Sequence, residues 1–232
     1  MTTHVVAMGG GGFSMNEGAS PLDEYVLSLV AEPKPTVCFV GTATGDAVGY
    51  VERFHTAFGP LPCETTDLSL FQRDDRTLAE RLDAVDIVYV GGGSTANLLA
   101  VWRLHGLDQA LRERAHAGPL VLTGLSAGGL CWFEGGITDS YGPLCPLPDG
   151  LGWVEGSFCP HYDGEPGRRP AYRQAIAEGT LAPGYAADDG AALHFVDGTL
   201  RCAVSERASA TTYRVEQRDG RAEETPITAT QL

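Results

Sequence analysis

The pentapeptide GLSAG, Gly124 to Gly128, places a serine between glycines two residues to either side, the G-x-S-x-G spacing of a nucleophile elbow. In that turn a strand passes abruptly into a helix. The serine takes the strained corner with its hydroxyl clear, and the glycines let strand and helix approach closely. The apolar run PLVLT from Pro119 precedes it and AGGLCWF from Ala127 follows it, read as an amphipathic helix. The helix start would offer its dipole and the free N–H of Ala127 to a developing oxyanion. The alternative is a glycine turn in which Ser126 only caps the helix.

A second glycine loop lies in VGGGSTANLL, Val90 to Leu99, again after an apolar run. Glycines ahead of a helix start could cradle a phosphate. No G-x-x-x-x-G-K-[ST] is present, however, and MGGGGFS near the start lacks the G-x-G-x-x-G register of a dinucleotide site. The loop is therefore read as a second oxyanion donor, the N–H of Gly92 or Gly93, or else as a tight turn needing positive φ. No cofactor is expected.

The base is sought among six histidines. His161 ends the apolar run GSFCP and opens the polar loop HYDGEPGRRP, as a catalytic imidazole at a strand terminus would. His4 and His194 fall in expected strands, and His55, His105 and His116 on or beside helices. A loop histidine without a role is the other reading. A base needs an acceptor for its second ring nitrogen, and Asp163, Glu165, Asp139, Asp188 and Asp189 are the candidates. Asp188 and Asp189, in AADDGAAL, precede a strand and would give the chain order Ser, His, Asp, unlike the Ser, Asp, His order of α/β-hydrolases.

These residues need elements to hold them. Apolar runs from His4, Thr36, Asp86 and Pro119 read as buried strands ending in glycine turns. Helices are predicted from Pro21 after an N-cap at Ser20, and over Asp46–Phe58, Thr77–Leu82, Thr95–Leu104, Leu107–His116 and Pro170–Glu178. Short strands are expected at Ala191–Val196 and Leu200–Val204. The Gly- and Pro-rich stretch from Gly135 to Pro160 carries no regular pattern, and the last dozen residues read as a frayed edge or tail. The alternation predicts one α/β domain over residues 1–232, a mostly parallel sheet with helices on both faces and its site at the strands' carboxyl ends.

Composition narrows the function. Net charge is −14, from 16 basic and 30 acidic residues, which repels phosphate backbones, so no nucleic-acid partner is expected. The six cysteines form no C-x-x-C pair, so neither zinc nor a disulfide framework is indicated. With no secretory start and no apolar run of spanning length, a cytoplasmic setting without membrane contact is expected.

Taken together, VGGGSTANLL, GLSAGG, PHYDGEPGRRPAY and DDGAAL resemble the peptidase E (aspartyl dipeptidase) family of serine peptidases, from about Val5 to Val204. The resemblance implies a flavodoxin-like sheet akin to class I glutamine amidotransferases, which carry a cysteine where Ser126 stands, and no metal or cofactor. It implies Ser126 as nucleophile and His161 as base. Asp189 stands at the place of the acidic member, often a glutamate in that family, and Asp139 in GITDS competes for the role. Gly92, Gly93 and Ala127 match the oxyanion hole. Dipeptides with an N-terminal aspartate would need a cation, for which Arg168, Arg169 and Arg173 are candidates, each otherwise an exposed helix arginine. The expected partner is a small peptide, and a homo-oligomer is allowed. A cyanophycinase-like hydrolase, a carboxylesterase on the same elbow and a non-catalytic anion-binding protein on this fold are the other readings.

Overall fold

Runs of valine, isoleucine and leucine leave no polar face for solvent, and here they become the middle of a sheet. The computed structural model describes residues 2–232. Its first strands are β1 (Thr3–Met8), β2 (Thr36–Val40), β3 (Glu64–Asp67), β4 (Ile87–Val90) and β5 (Leu120–Leu125). The later ones are β6 (Phe133–Thr138), β7 (Cys145–Leu147), β8 (Val154–Cys159), β9 (Gly184–Ala187), β10 (Ala191–Val196), β11 (Thr199–Ser205), β12 (Thr212–Arg218), β13 (Arg221–Ile227) and β14 (Ala229–Gln231). The helices are α1 (Pro21–Leu27), α2 (Val48–Phe58), α3 (Leu78–Leu82), α4 (Thr95–His105), α5 (Leu107–Ala117), α6 (Ala127–Leu130) and α7 (Arg168–Glu178).

An eight-stranded sheet runs in the order β14-β11-β10-β1-β5-β4-β2-β3. Neighbours from β1 to β3 are parallel, and β10 turns antiparallel beside β1. The pleat sends Val5 and Ala7 of β1 to one face and Val6 and Met8 to the other. On the first face Trp102 of α4, with Leu107 and Leu111 of α5, completes the core; on the second, Leu22 of α1 and Phe54 and Phe58 of α2 do so. This is the mixed α/β, flavodoxin-like arrangement with helices on both faces. Helix starts follow local chemistry: the Asp23 carboxylate accepts the Ser20 N–H at 2.8 Å with Pro21 next in line, and Thr77 and Glu80 cap α3 reciprocally.

A second, six-stranded sheet in the order β13-β12-β9-β8-β6-β7 corrects the expected irregular stretch and the expected tail. Gly135 to Pro160 holds most of β6 and all of β7 and β8, while the last dozen residues hold β13 and β14. Glycines interrupt these strands, so they show no apolar run, yet Phe133 stacks on Phe158 at 4.9 Å and meets Phe195 edge-on, joining the two sheets. α7 covers the second sheet with Tyr172 and Ile176. α6 is also shorter and drier than an amphipathic helix: one turn, wholly buried. Among the described residues, no helix is long and apolar enough to cross a membrane.

Candidate active site

β5 delivers Ser126 at φ 54°, ψ −117°, outside the regions an L-residue ordinarily occupies. Such a conformation costs on the order of 1–3 kcal/mol and persists only where its surroundings impose it. Here they do. A Cβ on Gly124 would stand 2.5 Å from the Val90 carbonyl oxygen, and one on Gly128 would collide with the same atom, so the elbow presses flat against the end of β4. The Ser126 N–H is donated to the Met8 carbonyl at 3.2 Å, while the Ser126 carbonyl accepts from Gly129 and Leu130 to open α6.

His161 follows β8 and Pro160, and it too has positive φ, 52°. Its N–H is donated to the Gly9 carbonyl at 3.2 Å. Nucleophile and base candidates thus hang from consecutive carbonyls at the end of β1. The next residue, Gly10, bridges to Asp189 and accepts the Gly190 N–H at 2.9 Å. His161 Nδ1 then lies 2.6 Å from Asp189 Oδ1, and both side chains are mostly buried. A Cβ on Gly10 would run into Asp189 Oδ1 and stand 3.0 Å from the imidazole, so only glycine leaves room for the pair. The hydrogen bond from His161 holds the Asp189 carboxyl below the usual carboxylate range, with Arg207 and Arg168 adding to the effect against burial. An ionised Asp189 accepts Nδ1–H, which leaves Nε2 as the nitrogen with a free lone pair.

Asp189 is itself braced. Asp163 Oδ1 accepts the Asp189 N–H at 2.8 Å; Arg207 reaches Asp163 Oδ2 at 3.1 Å and donates to the Asp189 carbonyl. The neighbouring Asp188 faces elsewhere, taking the Thr211 N–H at 2.9 Å. Asp139 is more than half exposed and lies 3.7 Å from Arg168.

The three arginines are all engaged with carboxylates. Arg168 is buried, 2.6 Å from Glu165, and donates to the Ile137 carbonyl at 3.1 Å. Arg169 pairs with Glu224 at 2.5 Å and lies over the rings of Tyr162 and Tyr213. Arg173 is half exposed, 3.7 Å from Glu224. In the glycine loop, Gly92 donates its N–H to the Tyr50 hydroxyl at 3.2 Å. Gly93 N–H and Ala127 N–H have no hydrogen-bond partner among the described residues.

Several contributors lie outside the expected set: Gly9 and Gly10, Asp163 as a brace, Arg207 and Tyr50. The glycines were visible as a run directly after a strand, but cofactor templates are the wrong comparison for them. Their use is to let two loops from the second sheet dock on bare backbone. Among the described residues, no group of three or more His, Cys, Asp or Glu side chains is arranged to hold a metal ion.

The sequence model of peptidase family S51 matches residues 5–203. An uncharacterized peptidase of Bacillus subtilis (strain 168), YgaJ, is 49% identical over 223 residues, covering 96% of each chain. Among solved structures, a putative peptidase E protein from Listeria monocytogenes EGD-e superposes with a TM-score of 0.64 at 21% identity, over 88% of this chain and 99% of that one. A peptidase from an acI-B1 actinobacterium does so with a TM-score of 0.71 at 17% identity, over 98% and 94%. At those identities the two structures bear on the fold alone.

Proposed function

The chain belongs to peptidase family S51, and on that premise we propose that it hydrolyses short peptides with Ser126 as nucleophile, His161 as general base and Asp189 as the acid that orients the imidazole. One observation carries the assignment of roles: a 2.6 Å contact between His161 Nδ1 and an ionised Asp189, on the backbone segment that also holds the strained Ser126.

The reaction follows from that geometry. His161 Nε2 takes the Ser126 Oγ proton as the oxygen attacks the peptide carbonyl. The tetrahedral oxyanion is met by backbone N–H groups, Ala127 at the start of α6 and Gly93 in the loop after β4. The imidazolium, balanced by Asp189, then protonates the leaving amine, and water releases the acyl group by the same route reversed.

For substrate, the reading is a dipeptide with an N-terminal aspartate, by likeness to peptidase E proteins. Arg173 is the arginine best able to meet an aspartyl carboxylate, because it is half exposed and only loosely held by Glu224. Arg168 and Arg169 are committed to structural pairs.

The test is turnover of Asp-X, Glu-X and neutral dipeptides by the wild type and by Ser126→Ala, followed by mass spectrometry. Cleavage confined to Asp-X and abolished in the variant supports both roles and substrate. Cleavage of neutral peptides retains the roles and removes the aspartate requirement. Full activity in Ser126→Ala overturns the nucleophile.

A further inference from the structure

Gly92 N–H, which the sequence offers as an oxyanion donor, is already taken by the Tyr50 hydroxyl. That hydroxyl is held in turn by Ser14 Oγ at 2.9 Å. Tyr50 sits in the first turn of α2, its ring centroid 5.6 Å from that of Phe13 and 5.1 Å edge-on from Phe39. Ser14 belongs to the short turn that follows the glycines after β1. The chain of contacts Ser14, Tyr50, Gly92 therefore ties the end of β1 to the end of β4 through a helix that follows β2. Burial raises the phenol's pKa, which keeps the hydroxyl neutral and its oxygen a steady acceptor.

The loop it holds is the one facing the nucleophile. A Cβ on Gly92 would lie 3.4 Å from the Ser126 Cβ. Two residues on, Ser94 donates its N–H to the Ala43 carbonyl at 2.9 Å. The loop is thus tethered at 92 and at 94. Between the tethers is Gly93, exposed, its N–H without a hydrogen-bond partner among the described residues. A donor fixed on both sides and left open is the arrangement an oxyanion site requires, because its orientation is set before substrate arrives.

We propose that Tyr50, seated by Ser14, is a positioning residue for the oxyanion site: by accepting Gly92 N–H it fixes the loop so that Gly93 N–H, not Gly92 N–H, meets the oxyanion opposite Ala127 N–H. The inference rests on the reading of Ser126 as the nucleophile.

Tyr50→Phe keeps the ring and removes the acceptor. In steady-state peptide hydrolysis its kcat is expected to fall about 10–100-fold, somewhat less than the loss of a whole oxyanion donor, with KM within about twofold. Affinity for a peptide boronate, which becomes tetrahedral on the serine, should fall in parallel with kcat. A merely structural role would instead lower the melting temperature and leave kcat per folded molecule intact. Ser14→Ala should show a smaller loss in the same direction, and it decides the matter if Tyr50→Phe does not fold. An unchanged kcat in folded Tyr50→Phe overturns the proposal. So does a raised one, which would make Gly92 N–H the true donor, masked by the phenol. A wild type that neither cleaves peptides nor is labelled at Ser126 by a fluorophosphonate overturns the peptidase reading, and this inference with it; the wild-type control separates the two failures.

Discussion

A histidine, partly buried in one case and buried in the other, stands towards each end of the antiparallel pair β1 and β10, and their surroundings could hardly differ more. At the carboxyl end of β1, His161 meets the carboxylate of Asp189. Towards the other end, His194 Nε2 lies 2.8 Å from His4 Nδ1, and its Nδ1 lies 2.8 Å from the Tyr25 hydroxyl, with Cys202 close by. No carboxylate stands among those partners. Burial, with a contribution from His4, pushes His194 down to about 4, whereas the acid beside His161 is held ionised. Burial alone makes a histidine an inert, neutral hydrogen-bonding group. Burial beside an anion makes one that can carry a proton, because the imidazolium formed in transfer is balanced where it appears. The same residue type at two ends of one strand pair is thus structural in one case and suited to chemistry in the other.

The most severe way to break the contrast is to make the first site resemble the second. Asp189→Asn keeps the size of the acid and removes its charge, and is expected to lower kcat by about 10³–10⁴-fold by losing both tautomer control and imidazolium balance. Asp139→Asn, in an exposed residue 3.7 Å from Arg168, should stay within about tenfold of wild type if Asp189 is the acid. Steady-state kinetics on both variants decides, and a reversed order would transfer the role to Asp139. Next in size is Gly10→Ala, whose methyl group must displace Asp189 Oδ1 and crowd the imidazole. A shift of about 1 Å at such a pair can cost about 10²-fold in rate, with the fold retained by circular dichroism. A Gly10→Ala enzyme of normal activity would mean that the His161–Asp189 contact is dispensable.

The contrast also shows what could be read from residues alone. The parallel half was legible because each apolar run ends in a glycine turn, and Ser126 sits at one of those turns. His161 and Asp189 were candidates by type and flanking pattern, and the fold gathers them with Ser126 at the end of β1. The second sheet was not legible: β6 (FEGGIT) and β9 (GYAA) lack apolar alternation, and β9 finds its partners in β8 and β12, on the far sides of α7 and of β10 and β11. One part of it does carry a local signal. Asp219 and Gly220, at φ 49° and 73°, form the two-residue turn joining β12 to β13, and Asp-Gly is the pair that favours such a hairpin. Tyr50 was beyond reach, since no local spacing connects residue 50 to the amide of residue 92.

A pH titration of stability sharpens the other end of the comparison. The folded His194 binds its proton at about 4 and the unfolded one near 6.5, so the unfolded state holds more protons between those values. Stability contributed by His194 is therefore present above pH 6.5 and is lost as pH falls towards 4, by about 3 kcal/mol in all. His4, lowered by its own burial, adds in the same sense. Asp23 and Asp188, both raised to about 6 by burial, act oppositely over the same range, since their protonated native forms favour folding at low pH. Asp189, shifted down, contributes only below its unfolded value, so it is silent in this window. The informative quantity is thus the difference between wild type and His194→Gln in chemical denaturation at pH 7 and at pH 4.5. The wild type should lose the larger share of its stability relative to the variant, and parallel profiles would show that His194 is not kept neutral by the fold.

The smallest expected effect concerns a carboxylate near His161 that is not its partner. Glu224, on β13, accepts from the hydroxyl of Tyr162, the residue after His161, and pairs with Arg169. Arg169→Ala removes the ion pair and the guanidinium stacked over Tyr162 and Tyr213, but the arginine is nearly half exposed, so solvent already screens much of the attraction. A stability loss of about 1 kcal/mol is expected, most of it from the lost cation–ring contact. With Arg169 paired to Glu224 rather than open to a substrate, KM for Asp-X dipeptides should move by less than about twofold. Arg173→Ala, measured alongside, should raise KM for Asp-X more than for neutral dipeptides if the half-exposed guanidinium, 3.7 Å from Glu224, is the one that meets an aspartyl side chain. If Arg169→Ala proved the selective one, Glu224 would have to give up its partner to the substrate on each turnover. The second sheet would then act as a specificity element as well as the support for His161.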